Sequence, residues 1–120
     1  MMREIKFRMW NNGKMRYGVE MSEDFPYMVA PQGEYVNCKL MQYTGLKDKN
    51  EKEIYEADIV RVVTDEKGVI GEVVYIPEET AFCVKAKGFE IFPLGFLNNW
   101  FEIEVLGNIY ENPELLEMIR

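Results

Sequence analysis

The sequence predicts a mainly β fold, and three observations carry that expectation. Apolar and charged residues alternate near both ends of the chain. Short β-branched runs in the middle are separated by turn residues. The one clean helix signal is confined to the last few positions. At 120 residues the chain suits a single domain, residues 1–120, with one modest core. The expected architecture is a small SH3-like or partly closed barrel over residues 40–92, with an added N-terminal hairpin and a short C-terminal helix. An α+β arrangement is the alternative.

The elements follow in order. Ile5, Phe7 and Met9 alternate with Glu4, Lys6 and Arg8, which reads as a half-buried strand. Met15, Tyr17 and Val19 alternate again after "NNG". A three-residue loop, Asn11-Asn12-Gly13, would pair Met9 with Met15 and Phe7 with Tyr17 and keep the apolar side chains on one face. A two-residue loop would mix the faces, so the longer loop is expected. Residues 20–36 hold Pro26, Pro31 and Gly33 with weak periodicity, and read as a long irregular segment. Residues 40–60, "LMQYTGLKDKNEKEIYEADIV", read as a strand, a tight "DKN" turn, a short returning strand with Ile54 and Tyr55, and an Asp58-initiated entry into the next strand.

"IVRVVT", "VIGEVVYI", "AFCVKA" and "FEIFPL" then read as four short strands separated by turns, with Gly71 expected at a bulge or bend. "LGFLNNWF" suggests a helical turn and "FEIEVLGNIY" another strand. "NPELLEMIR" has the signals of a helix start, with Asn112 as N-cap and Pro113 at the first position. So short a helix must dock to persist.

Composition limits the chemistry. The chain has no histidine, which removes Ser-His-Asp and Cys-His catalysis and the commonest zinc ligand. Cys38 and Cys83 are too few for a structural zinc site, and are expected to be reduced thiols. No glycine-rich phosphate loop is present. The carboxylates Asp48, Glu51, Glu53, Glu56 and Asp58 match no calcium-loop spacing. No catalytic, metal-binding or cofactor-binding residue is therefore assigned, and a non-enzymatic protein is expected. No apolar run is long enough for a membrane span, and the N-terminus lacks the features of a secretory signal.

The net charge of −7 is uneven: residues 1–60 hold nine Lys/Arg against ten Asp/Glu, and residues 61–120 hold five against eleven. The second half should repel nucleic acid. Two candidate contact surfaces remain. One is the basic hairpin, where the longer loop would place Lys6, Arg8, Trp10, Lys14 and Arg16 together on the solvent side. The other is the charged turn at Lys47, Asp48 and Lys49. Core packing plus a tyrosine-rich association surface is expected of the aromatics.

Three blocks, "MREIKFR", "MQYTGLKDKN-KEIYE-DIV" and "GNIYENPELL", resemble the YopX family of small phage and prophage proteins. The resemblance implies a phage or prophage origin and a bacterial cytoplasmic setting. It carries over no catalytic residue. Family members usually read "DKNGKEIYEGDIV", so Glu51 and Ala57 stand where glycines are usual. Asn50 is expected to take the left-handed position instead of Glu51; Ala57 implies either that its site has no strict need of positive φ or that a small residue is the true requirement. A homo-oligomer is expected from the strand edges, the aromatics and the eight methionines. The leading reading is an interaction protein that binds a phage or host protein. The alternative is a nucleic-acid-binding small barrel using the basic hairpin.

Overall fold

The computed structural model describes residues 4–18, 39–64 and 68–119. The expected irregular segment 20–36 lies outside them. The described chain is mainly β, with nine strands, one short α-helix and two 3-10 helices. The strands are β1 (Phe7–Asn11), β2 (Lys14–Tyr17), β3 (Lys39–Lys47), β4 (Glu53–Tyr55), β5 (Asp58–Val63), β6 (Val69–Ile76), β7 (Ala81–Lys85), β8 (Phe92–Pro93) and β9 (Glu102–Asn108). The helix α1 is Leu94–Trp100. Two antiparallel sheets form, in the orders β2-β1-β3-β4 and β8-β7-β6-β5-β9.

The N-terminal hairpin is thus built into the first sheet, since β1 pairs with β3 as well as with β2. Its register is the one the alternation argued against. Arg8 faces Tyr17 and Trp10 faces Met15, across a two-residue Asn12-Gly13 turn with φ of 51° and 75°. Two successive positive φ values give the turn whose twist matches a hairpin, and Asn-Gly strongly favours it. That local preference prevails because β1 is an interior strand: Arg8 and Met9, on opposite faces, are both buried.

Segment 40–60 folds as expected, but its two left-handed residues other than glycine differ from expectation. Glu51 has φ 64° and Ala57 φ 71°, so both occupy the conformation that glycine relieves, and Asn50 does not replace Glu51. The Glu51 N–H donates to the Asp48 carbonyl and closes the turn. At Ala57 the chain turns the corner from β4 to β5, and its backbone bonds Val73 and Ile109. Substitution by glycine removes a Cβ clash in the left-handed region. Glu51→Gly is expected to raise stability by about 1 kcal/mol, and Ala57→Gly by about half that because a buried methyl is lost. Urea midpoints measure both; a fall in either would contradict the assigned backbone.

The core of the second sheet gathers Val60, Val62, Val73, Val84 and Ile103, with Ile54 from β4 and Leu94 and Leu97 from α1. Helix α1 therefore closes one end of a half-barrel. Gly71 marks no bulge. Its register against Val60 is unbroken, and a Cβ there would lie 2.6 Å from Val84 Cγ1, so glycine is needed for the close approach of β7. The irregularity falls instead between β5 and β9, where Ile59 faces Gly107 but Val60 faces Val105. This leaves Leu106 as the extra residue. The fourth predicted strand shrinks to Phe92–Pro93. The C-terminal element is a 3-10 helix, Pro113–Met118, and Asn112 makes no side-chain cap on it. The Asn112 Oδ1 instead accepts from the Asn108 N–H at 3.2 Å.

Candidate interaction surface

The basic hairpin does not form one surface. Arg8 is 3% exposed and lies against Asp58, itself 2% exposed, with Nη2 to Oδ1 at 2.8 Å. The same nitrogen donates to the Glu56 carbonyl at 3.1 Å, and the guanidinium sits 4.7 Å from the centre of the Tyr55 ring. Asp58 Oδ2 accepts the Tyr55 N–H at 2.8 Å, so one carboxylate both pairs with Arg8 and fixes the β4–β5 corner. Burial pushes the Asp58 carboxyl above its ordinary value, while Arg8 and the Tyr55 N–H act against that rise. Burial, together with Glu53, pushes the Tyr55 hydroxyl up to about 12.

The other hairpin residues scatter. Lys6 is held by the Glu53 and Glu4 carboxylates, which raise its pKa. Trp10 is partly buried and stacks on Tyr110, ring centres 5.9 Å apart. Lys14 and Arg16 are exposed, but they face Asn11 and Met9, on the side of the sheet opposite Arg8 and Trp10.

The charged turn is likewise architectural in part. Lys47 and Lys49 are exposed, but Asp48 is buried. Its Oδ1 accepts the N–H groups of Asn50 and Lys52 at 2.8 and 2.9 Å, and its Oδ2 accepts that of Val105 at 2.8 Å. The Lys49 N–H donates to the Ile103 carbonyl. The turn is thereby fastened to the β9 edge of the second sheet. Burial alone would raise the Asp48 pKa, but the N–H groups of Val105, Lys52 and Asn50 outweigh it and hold the carboxyl below its ordinary value.

The surface that sequence reasoning missed lies at 89–101. Phe89 is 60% exposed and Trp100 72%, and Ile91, Phe92, Phe96 and Phe101 are exposed beside them. Phe92 stacks on Phe96, and Phe96 leans on Trp100. Phe89, Phe92 and Phe101 also rim an apolar hollow of about 240 Å³ floored by Val62, Val84 and Leu97. Of the tyrosines, Tyr43 and Tyr55 are buried and Tyr17 and Tyr75 exposed, while the exposed cluster here is made of phenylalanines, Ile91 and Trp100. The available signal was density. "FEIFPLGFLNNWF" holds five aromatics in a segment that forms only a two-residue strand and a seven-residue helix, too little structure to bury them.

Cys83 is a buried free thiol whose pKa is raised by burial. Among the described residues no group of His, Cys, Asp and Glu side chains is placed to hold a metal, and no helix is long and apolar enough to cross a membrane.

These features define a class: a small two-sheet β domain with a half-barrel, whose characteristic sequence blocks lock its turns. Thr44 Oγ1 donates to the Ile54 carbonyl beside a left-handed Gly45, and Asn108 Oδ1 accepts the N–H groups of Tyr110 and Glu111. The family described as YopX protein matches residues 15–117, and the chain belongs to this family. The fold is similar to that of protein EF1440 from Enterococcus faecalis, at 26% identity and TM-score 0.63, covering 94% of this chain and 98% of that one. It is also similar to yopX from Bacillus subtilis, at 24% identity and TM-score 0.60, covering 92% and 96%. No curated protein matches the sequence.

Proposed function

We propose that this chain is a phage- or prophage-encoded, non-enzymatic interaction protein that acts in the bacterial cytoplasm and contacts its partner through the aromatic face at 89–101. Six large apolar side chains exposed together carry the reading. Scattered exposed apolar residues are ordinary on a soluble protein, but a contiguous patch over a hollow marks an interaction site. Family membership and the absence of histidine support the phage setting and the lack of enzymatic chemistry. Homo-oligomerisation is proposed through a different surface, the outer edge of β2, which is unpaired among the described strands. The nucleic-acid reading needed the hairpin cations to converge, and with Arg8 buried, Lys6 neutralised and Lys14 and Arg16 on the far face it loses its main support.

The test is capture from host lysate with and without nuclease, comparing the tagged native chain with Phe89→Ser/Trp100→Ser. The expected result is a protein partner that survives nuclease and is lost with the double substitution. Recovery of nucleic acid, weakened steeply by salt and by Arg16→Glu, would contradict it.

A further inference from the structure

We propose that the mouth of the half-barrel receives a segment of a partner protein that offers a bulky apolar anchor next to basic residues. This rests on the interaction reading above and specifies the chemistry of the partner. Two observations fix the occupant. The first is the size of the hollow. At about 240 Å³ it lies below the range of about 300–1,000 Å³ usual for sites that enclose a drug-sized ligand. It suits an inserted side chain, and its exposed ring of Phe89, Phe92 and Phe101 would cover the flanks of the entering chain and exclude water around the anchor.

The second observation is charge. Glu90 lines the hollow, and Glu102 lies at the β9 end opposite Val63. Both are exposed, and among the described residues neither forms an ion pair. By contrast, Glu53, Asp58 and Glu104 are each matched by a cation. Among the described residues, Lys87 carries an opposite charge close by, and it lines a separate hollow that shares Val69, Ala86 and Phe89 with this one. The surrounding half of the chain holds five Lys/Arg against eleven Asp/Glu. An acidic partner, nucleic acid included, would meet like charge here, and so would a second copy of the chain. A cationic segment would be drawn in and oriented by Glu90.

Peptides of equal length test this by chemical-shift titration of the isotope-labelled full chain. One carries leucine and phenylalanine anchors flanked by lysines, one the same anchors flanked by glutamates, and one the lysines with serines for anchors. The first alone is expected to bind, with shifts centred on Phe89, Phe92 and Phe101, and Glu90→Lys is expected to weaken it about tenfold while leaving the spectrum folded. Binding of the glutamate or serine peptide to the same extent, shifts centred elsewhere, or no binding by any of them would overturn the proposal. Lysate capture separates the two readings. Capture that depends on Phe89 and Trp100 but not on Glu90 keeps the interface and discards the basic partner. Capture indifferent to all three discards both. A mass that rises with concentration and falls on Phe89→Ser/Trp100→Ser, without peptide binding, would identify a second copy as the occupant and overturn the proposal.

Discussion

Arg8→Met is expected to destabilise the protein by about 3–5 kcal/mol, the usual cost of removing one partner of a buried ion pair. Methionine fills much of the space that the arginine stem occupies, so lost packing is a minor part. The larger part is Asp58, which stays buried with its Oδ1 stripped of the guanidinium. The Glu56 carbonyl loses a donor as well. Because Asp58 also holds the Tyr55 N–H, the damage should spread to the corner that joins the two sheets. Urea unfolding of Arg8→Met, Asp58→Asn and the double variant measures this. The double variant should fall well short of the summed single costs, by about 1–3 kcal/mol, because each single change removes the same interaction. Strict additivity would mean that the pair does not interact in solution.

Asp48→Ala is expected to cost about 2–4 kcal/mol, since three backbone N–H groups lose their acceptor and that of Val105 is held between the sheets. The same residue predicts a pH dependence. Its carboxyl is held below the ordinary aspartate value of 3.8, so the unfolded chain takes up a proton before the folded one does. The stabilisation is therefore complete above that value and is lost as pH falls through the folded-state value. Asp48→Asn keeps an acceptor oxygen but cannot ionise. Its stability deficit against the native chain should be largest at neutral pH and shrink progressively below pH 3.8. A deficit that stays constant to low pH would show that the carboxylate charge is not what fastens the turn.

Local patterns carried most of the fold. The strands from 39 to 63 and from 69 to 85, the turn after Lys47 and the strand at 102–108 were legible because each is written in neighbouring residues: alternation, β-branched runs and turn chemistry. The hairpin register was not, because its decisive fact is remote. Hydropathy assigns Arg8 to solvent, and only a carboxylate fifty positions later makes its burial possible. Asp48 was misplaced for a similar reason, since its third bond reaches Val105 from across the domain. Intrinsic cost argues against a left-handed Glu51, and at Ala57 the sequence leaves open whether positive φ or small size is required. The hydrogen bonds of the turn and of the corner hold both residues in the left-handed conformation. The aromatic face went unread because the strand expected at 89–94 would have buried much of it, and the chain pairs only at Phe92 and Pro93.

The exchange footprint of the full chain, alone and with its captured partner, tests the central claim most directly. Amide hydrogen exchange resolved by mass spectrometry should show new protection over residues 89–101 and little change at 14–17 and 47–49. Protection at 14–17 and 47–49, with 89–101 exchanging as in the free protein, would place the interaction on the charged hairpin and turn and contradict the account.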